Sequence, residues 1–94
     1  MSKKYGKSDQ NQNGIVSDLR KAGCSVQHLV SVGQGCPDLL VGRAGHNYLL
    51  EIKDGRKPPS QRKLTPDQVT WHKQWRGSVS VVKNREEALK AVGL

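Results

Sequence analysis

Residues 35–53 read GCPDLLVGRAGHNYLLEIK. Two apolar runs, DLLVG at 38–42 and NYLLEIK at 47–53, flank the short polar stretch RAGH. Runs of this length, rich in branched and aromatic residues and joined by a glycine-containing link, predict a β-hairpin. With Ala44 and Gly45 as the central turn residues, Leu40 faces Leu49, Val41 faces Tyr48 and Asp38 faces Glu51. Directly opposed side chains have Cβ atoms about 5 Å apart. The two-residue period of a strand puts Lys53 on the same face as Glu51. A bulge would shift this register.

Two carboxylates facing each other across a hairpin repel unless something offsets the charge. Glu51 moreover sits inside the apolar run LLEI, where burial without a partner is expensive. A divalent cation is the simplest offset. Mg²⁺ takes oxygen ligands, usually one or two carboxylates completed by waters and phosphate oxygens. Asp38 and Glu51 are the candidate metal ligands, with the backbone carbonyl of Ile52 as a third. Lys53 is placed to orient a water held by the ion or to stabilise charge on a phosphate. The alternative is that Glu51 faces solvent and pairs with Lys53 or Arg43.

Outward from the hairpin, residues 54–64 (DGRKPPSQRKL) are a loop broken by Asp54-Gly55 and Pro58-Pro59. Arg56, Lys57, Arg62 and Lys63 in this loop form the densest basic cluster and are the candidate DNA-backbone contacts. Thr65-Pro66-Asp67-Gln68 is a helix start, with Thr65 as cap, Pro66 at the first helical position and Gln68 as the reciprocal capping-box residue. The free N–H groups of such a terminus favour an anion, which also makes Gln68 a candidate at the site. The helix is expected to reach Arg76 and stop at Gly77, with Trp71 and Trp75 stacked on one side. Core or subunit contact is the expected role of these tryptophans, ahead of stacking on bases.

Toward the N-terminus, residues 1–10 (MSKKYGKSDQ) read as a flexible basic tail, and 11–94 as a single domain. Residues 11–22 have a helical period that puts Ile15, Val16, Leu19 and Ala22 on one face. Residues 24–32 look extended, and Gly33-Gln34-Gly35-Cys36 link them to the hairpin. Toward the C-terminus, 78–83 (SVSVVK) read as a strand. Asn84 caps a final helix, with Glu87 as its box partner and Ala88, Leu89 and Val92 as its buried stripe. The order α-β-β-β-α-β-α describes a small α/β or α+β mixed sheet with helices on its faces.

The chain has 94 residues, of which 34% are hydrophobic, enough for one modest core. Sixteen Lys and Arg against eight Asp and Glu leave a net charge of +8, which favours a polyanion, nucleic acid before membrane. No apolar run is long enough to span a bilayer, and no secretory signal pattern is present. Cys24 and Cys36 are too few for a disulfide scaffold and fit a cytoplasmic chain with reduced thiols. His28, His46 and His72 have no metal-ligand spacing among themselves. The segment VGQGC lacks the form of a phosphate-binding loop.

Gly35-Cys36-Pro37-Asp38-Leu39-Leu40, Glu51-Ile52-Lys53, Leu64-Thr65-Pro66-Asp67-Gln68 and Trp75-Arg76-Gly77, in that order, resemble the VRR-NUC branch of the PD-(D/E)XK nuclease superfamily. The resemblance covers residues 12–92 and implies a restriction-endonuclease-like core. It implies that Asp38 and Glu51 bind Mg²⁺ or Mn²⁺, that Lys53 serves catalysis, and that Gln68 lies near the site. One departure is at the first helix, where many relatives carry a glutamate. The matching position here is Gln12, with Asn11 beside it. An amide oxygen can ligate a hard cation but brings no charge.

The resemblance is to stand-alone, phage-type members, some of which act on Holliday junctions. It implies a metal-dependent, structure-selective DNA endonuclease in a bacterial or phage-infected cell. Cutting two strands needs two sites, which a symmetric homodimer supplies. The rival expectations are a flap or nicking nuclease of a replication or packaging system, and a catalytically silent nucleic-acid-binding module.

Overall fold

The computed structural model describes residues 6–94. Its regular elements are α1 (Gly6–Lys21), β1 (Ser25–His28), β2 (Leu39–Arg43), β3 (His46–Ile52), α2 (Pro66–Gln74), β4 (Ser80–Val82) and α3 (Arg85–Ala91), with short 3₁₀ turns at Val30–Val32 and Pro59–Gln61. The expected order α-β-β-β-α-β-α is therefore the observed one. The four strands form one mixed sheet in the order β1-β2-β3-β4. β1 and β3 run antiparallel to β2, and β4 runs parallel to β3 after the crossover through α2.

The hairpin has the expected register, with Leu40 opposite Leu49 and Val41 opposite Tyr48. Its turn residues Ala44 and Gly45 both have positive φ, 52° and 79°, as a two-residue turn compatible with strand twist requires. One face of the sheet packs the core. Leu39, Val41, Leu50 and Val82 meet Ile15, Val16 and Leu19 of α1, Ala88 of α3 and Val92 at its end. Strand alternation then sends Glu51, next to Leu50, to the opposite face.

Four expectations change. The first helix begins at Gly6, so 6–10 are helical rather than tail, while Lys3 and Lys4 lie outside the described residues. Ala22 is exposed beyond the end of that helix. The extended reading of 24–32 holds only for Ser25–His28. β1 lies at the sheet edge and pairs with β2 alone, and its ladder closes where the Leu29 N–H donates to Asp38 O at 2.8 Å. The residue preceding Asp38 on the partner strand's side is Pro37, which has no N–H to offer. The chain coils there into a 3₁₀ turn, leaving Val30 63% and Val32 62% exposed. Lastly, α2 ends at Gln74 and has no buried residue, so Trp71 and Trp75 are not core.

Both predicted caps are present. Thr65 and Gln68 form a full capping box on α2, and Asn84 accepts from the Glu87 N–H on α3. Glu87 in turn accepts from the Lys83 N–H rather than from the cap residue itself. Among the described residues no helix is long and apolar enough to cross a membrane.

Gly35 joins the linker to α2. It has φ +85°, and a Cβ there would lie 2.3 Å from the carbonyl oxygen of Asp67 and 3.0 Å from Gln68 N. The start of α2 thus rests directly on linker backbone, and only glycine permits both the approach and the conformation. Gly45 also has positive φ, +79°, but open space around it. Gly35→Ala is expected to cost more than about 1 kcal/mol and to exceed Gly45→Ala, because it adds a clash to the left-handed penalty that both share. Urea denaturation of the two variants checks this, and equal losses contradict the contact.

Candidate metal and nuclease site

Asp38 immediately precedes β2, behind the fully buried Pro37. Its Oδ2 accepts from the Ile52 N–H at 2.7 Å, so the side chain closes the ladder beside a proline and is locked in place. Glu51 lies in β3 and is only 1% exposed, which removes the expectation that it faces solvent. Its Oε2 accepts from Gln68 Nε2 at 3.0 Å and lies 3.9 Å from Lys53 Nζ, and its buried Oε1 has no hydrogen-bond partner.

Gln68 ties helix to strand. Its Oε1 accepts from the Thr65 N–H at 2.9 Å and from Lys53 Nζ at 2.8 Å, while its Nε2 donates to Glu51. The capping box therefore shares its side chain with the site. A glutamine suits this position because it offers an acceptor to the lysine and a donor to the carboxylate at once. A glutamate could cap the helix but would add a third carboxylate beside Glu51.

The electrostatics follow from burial. Desolvation, first, and then the neighbouring Asp38 carboxylate push the Glu51 carboxyl up to about 8, against an opposing pull from Lys53. Burial and the same two carboxylates raise the Cys36 thiol. Burial and then the positive Lys53 lower the His72 imidazole.

Asp38, Glu51, Ile52, Lys53 and Gln68 line one cavity of about 270 Å³, and Gln12 and Asn11 from α1 form another part of its wall. Asn11 Nδ2 donates to Lys53 O at 3.0 Å, which anchors α1 to the end of β3. Among the described residues no group of three or more His, Cys, Asp or Glu is placed to hold a metal. The donor set is instead two carboxylates supplemented by carbonyl and amide oxygens. That set fits a hard divalent cation, which commonly takes one or two protein carboxylates and fills its remaining positions with water and phosphate. The unpartnered Glu51 Oε1 is the kind of buried acceptor such an ion would satisfy.

The basic loop divides. Lys57 reaches the cavity wall and Lys63 is exposed. Arg56 Nε and Nη2 donate to Asp54 at 3.0 and 2.9 Å, although its side chain is still 71% exposed. Arg62 is half-buried, with its Nε enclosed and unpartnered.

Three wall residues escaped the sequence reading. In sequence Asn11 stands as a neighbour of Gln12, Gln61 as part of a loop broken by glycine and proline, and Asp54 as a turn residue. The Asp54 signal was available. Its Oδ1 accepts from the Arg56 N–H two residues on, an Asx turn, and hydrogen bonds from the Arg56 side chain and then its backbone hold the carboxyl down at about 2.

Comparison with protein-family models and with curated proteins finds no match. A solved structure described as a VRR_NUC domain does match, with a TM-score of 0.65 and 26% identity over 89% of this chain and 91% of that one. The match supports placing the chain in the VRR-NUC/PD-(D/E)XK-like nuclease family.

Proposed function

We propose that this protein is a divalent-cation-dependent endonuclease that hydrolyses phosphodiester bonds of branched DNA, with the Holliday junction as its leading substrate. The observation that carries the reading is the buried Glu51 carboxyl beside the partly buried Asp38, with Gln68 at a helix N-terminus bridging Glu51 to Lys53. Asp38, Glu51 and the Ile52 carbonyl would hold Mg²⁺ or Mn²⁺, with Gln12 contributing an amide oxygen. Such an ion, when bound, neutralises phosphate charge and acidifies water. Lys53 serves as the charge that faces the phosphate, held in position by Gln68. Lys57, Arg62 and Lys63 grip backbone, and Arg56 contributes through the part of its surface that Asp54 leaves exposed.

One cavity per chain cuts one strand per encounter, so the proposed molecule is a homodimer with two-fold symmetry. The exposed Val30 and Val32 supply apolar area that a second copy would cover. A specific observation favours a second reading, a silent DNA-binding module: the first helix presents an amide at residue 12, and no third acidic, His or Cys ligand joins the pair among the described residues.

The cleavage assay separates the two. With Mg²⁺, a labelled four-way junction is expected to receive paired symmetric nicks, and Glu51→Ala and Lys53→Ala to slow cutting by about 10²-fold or more. Binding without cutting in both Mg²⁺ and Mn²⁺ would support the silent module.

A second expectation comes from linkage. Glu51 titrates near 8 in the folded metal-free chain and near its ordinary value of about 4.5 when unfolded. Between these values the native state keeps a proton that the unfolded state has lost. Glu51 therefore makes the metal-free protein less stable as pH rises through this window. Glu51→Gln removes the effect. In melts with EDTA, the variant's Tm is expected to gain on the wild type as pH goes from about 5 to about 8, by roughly 4–8 °C for each kcal/mol relieved. An offset that stays constant with pH contradicts a strained buried carboxyl.

A further inference from the structure

Gln68, His72 and Trp75 lie four and then three residues apart, so they continue one stripe of α2 away from the cavity, with Trp71 beside it. The indoles of Trp71 and Trp75 are stacked, with centroids 4.6 Å apart and planes inclined by 18°. His72 meets the edge of Trp71 at 5.9 Å and 70°. At the other end the backbone of Gly77 closes on Trp75, where a Cβ would come within 2.9 Å of Nε1. The pair is thus framed on two sides, yet Trp75 remains 45% exposed. A held, half-exposed indole at the end of a helix with no buried residue is not explained by packing.

The charges around it select the occupant. Arg76 follows Trp75 directly and Lys73 lies in the last turn of the same helix, both exposed, on a chain of net charge +8. A nucleic acid strand meets them with phosphates and the indole with bases.

We propose that the Trp71–Trp75 stack is a platform for an unpaired base of the DNA strand whose phosphate lies at the cavity. Trp75 directly follows the last helical residue, so seven helical rises, about 10.5 Å, separate it from Gln68. At about 3.4 Å per stacked nucleotide, that is about three nucleotides from the site. The inference rests on the proposed nuclease reading and deepens it. The preference for branched DNA would arise from capture of a base that a continuous duplex keeps stacked.

Binding measured in EDTA separates this inference from cleavage. Fluorescence anisotropy with a labelled oligo-dT strand and a matched linear duplex would compare wild type, Trp75→Ala, Trp75→Leu and Trp75→Phe. The Ala and Leu variants are expected to bind oligo-dT about tenfold more weakly, and Phe to stay within about threefold of wild type, with duplex binding unchanged in all. Oligo-dT is also expected to quench the wild-type tryptophan fluorescence. Circular dichroism melts identify any variant that fails to fold, and the Leu and Phe pair keeps the comparison open if Ala does. Equal oligo-dT binding by all four proteins would overturn the platform. So would conversion of a wild-type dimer to monomer by Trp75→Leu, which would make this face an interface between copies. A wild type that cuts junctions but does not bind oligo-dT would refute the platform alone. One that binds oligo-dT through Trp75 but never cuts would refute the nuclease reading alone.

Discussion

Glu51 is a carboxyl held out of water within reach of a second carboxyl, and the arrangement around it is built to keep it there. A buried acid beside another acid costs free energy in the metal-free chain, and here desolvation and Asp38 both oppose its ionisation. The hairpin supplies the proximity, because its register sets Asp38 against the end of β3. The ladder bond from the Ile52 N–H fixes the Asp38 side chain. Gln68 fixes one oxygen of Glu51 and leaves the other without a partner.

That arrangement depends on contacts some distance along the chain. The start of α2 sits on the backbone of Gly35, so the linker before β2 sets the position of a helix that begins about thirty residues later. The capping box makes helix initiation and site geometry one event, since the same glutamine side chain serves both. Asn11 ties α1 to Lys53 from the opposite side. Fold and site therefore share their polar interactions, and a change to either is felt by both.

Much of this was legible in the sequence where local chemistry decides the outcome. The turn at Ala44-Gly45 determined the hairpin register, and Thr65-Pro66-Asp67-Gln68 and Asn84 announced two helix starts. Tertiary context decided the rest. The valines at 30 and 32 alternate like a strand, but the ladder partner runs out at Pro37, so the alternation has nothing to pair with. The tryptophans of α2 look like core residues by their area, yet the core lies on the sheet face covered by α1 and α3. Arg56 reads as a phosphate contact until the carboxylate of Asp54, two residues away, is seen to hold it. Hydrophobic pattern reports that a residue can be buried, not which face of the sheet is available to bury it.

The central claim is that Asp38 and Glu51 share one hard cation. Anomalous scattering from Mn²⁺-soaked crystals tests it most directly. The account predicts a single strong peak between the two carboxylates, within ligand distance of Glu51 Oε1 and absent from Glu51→Gln crystals. A well-occupied Mn²⁺ elsewhere on the protein, with none between these carboxylates, would contradict it.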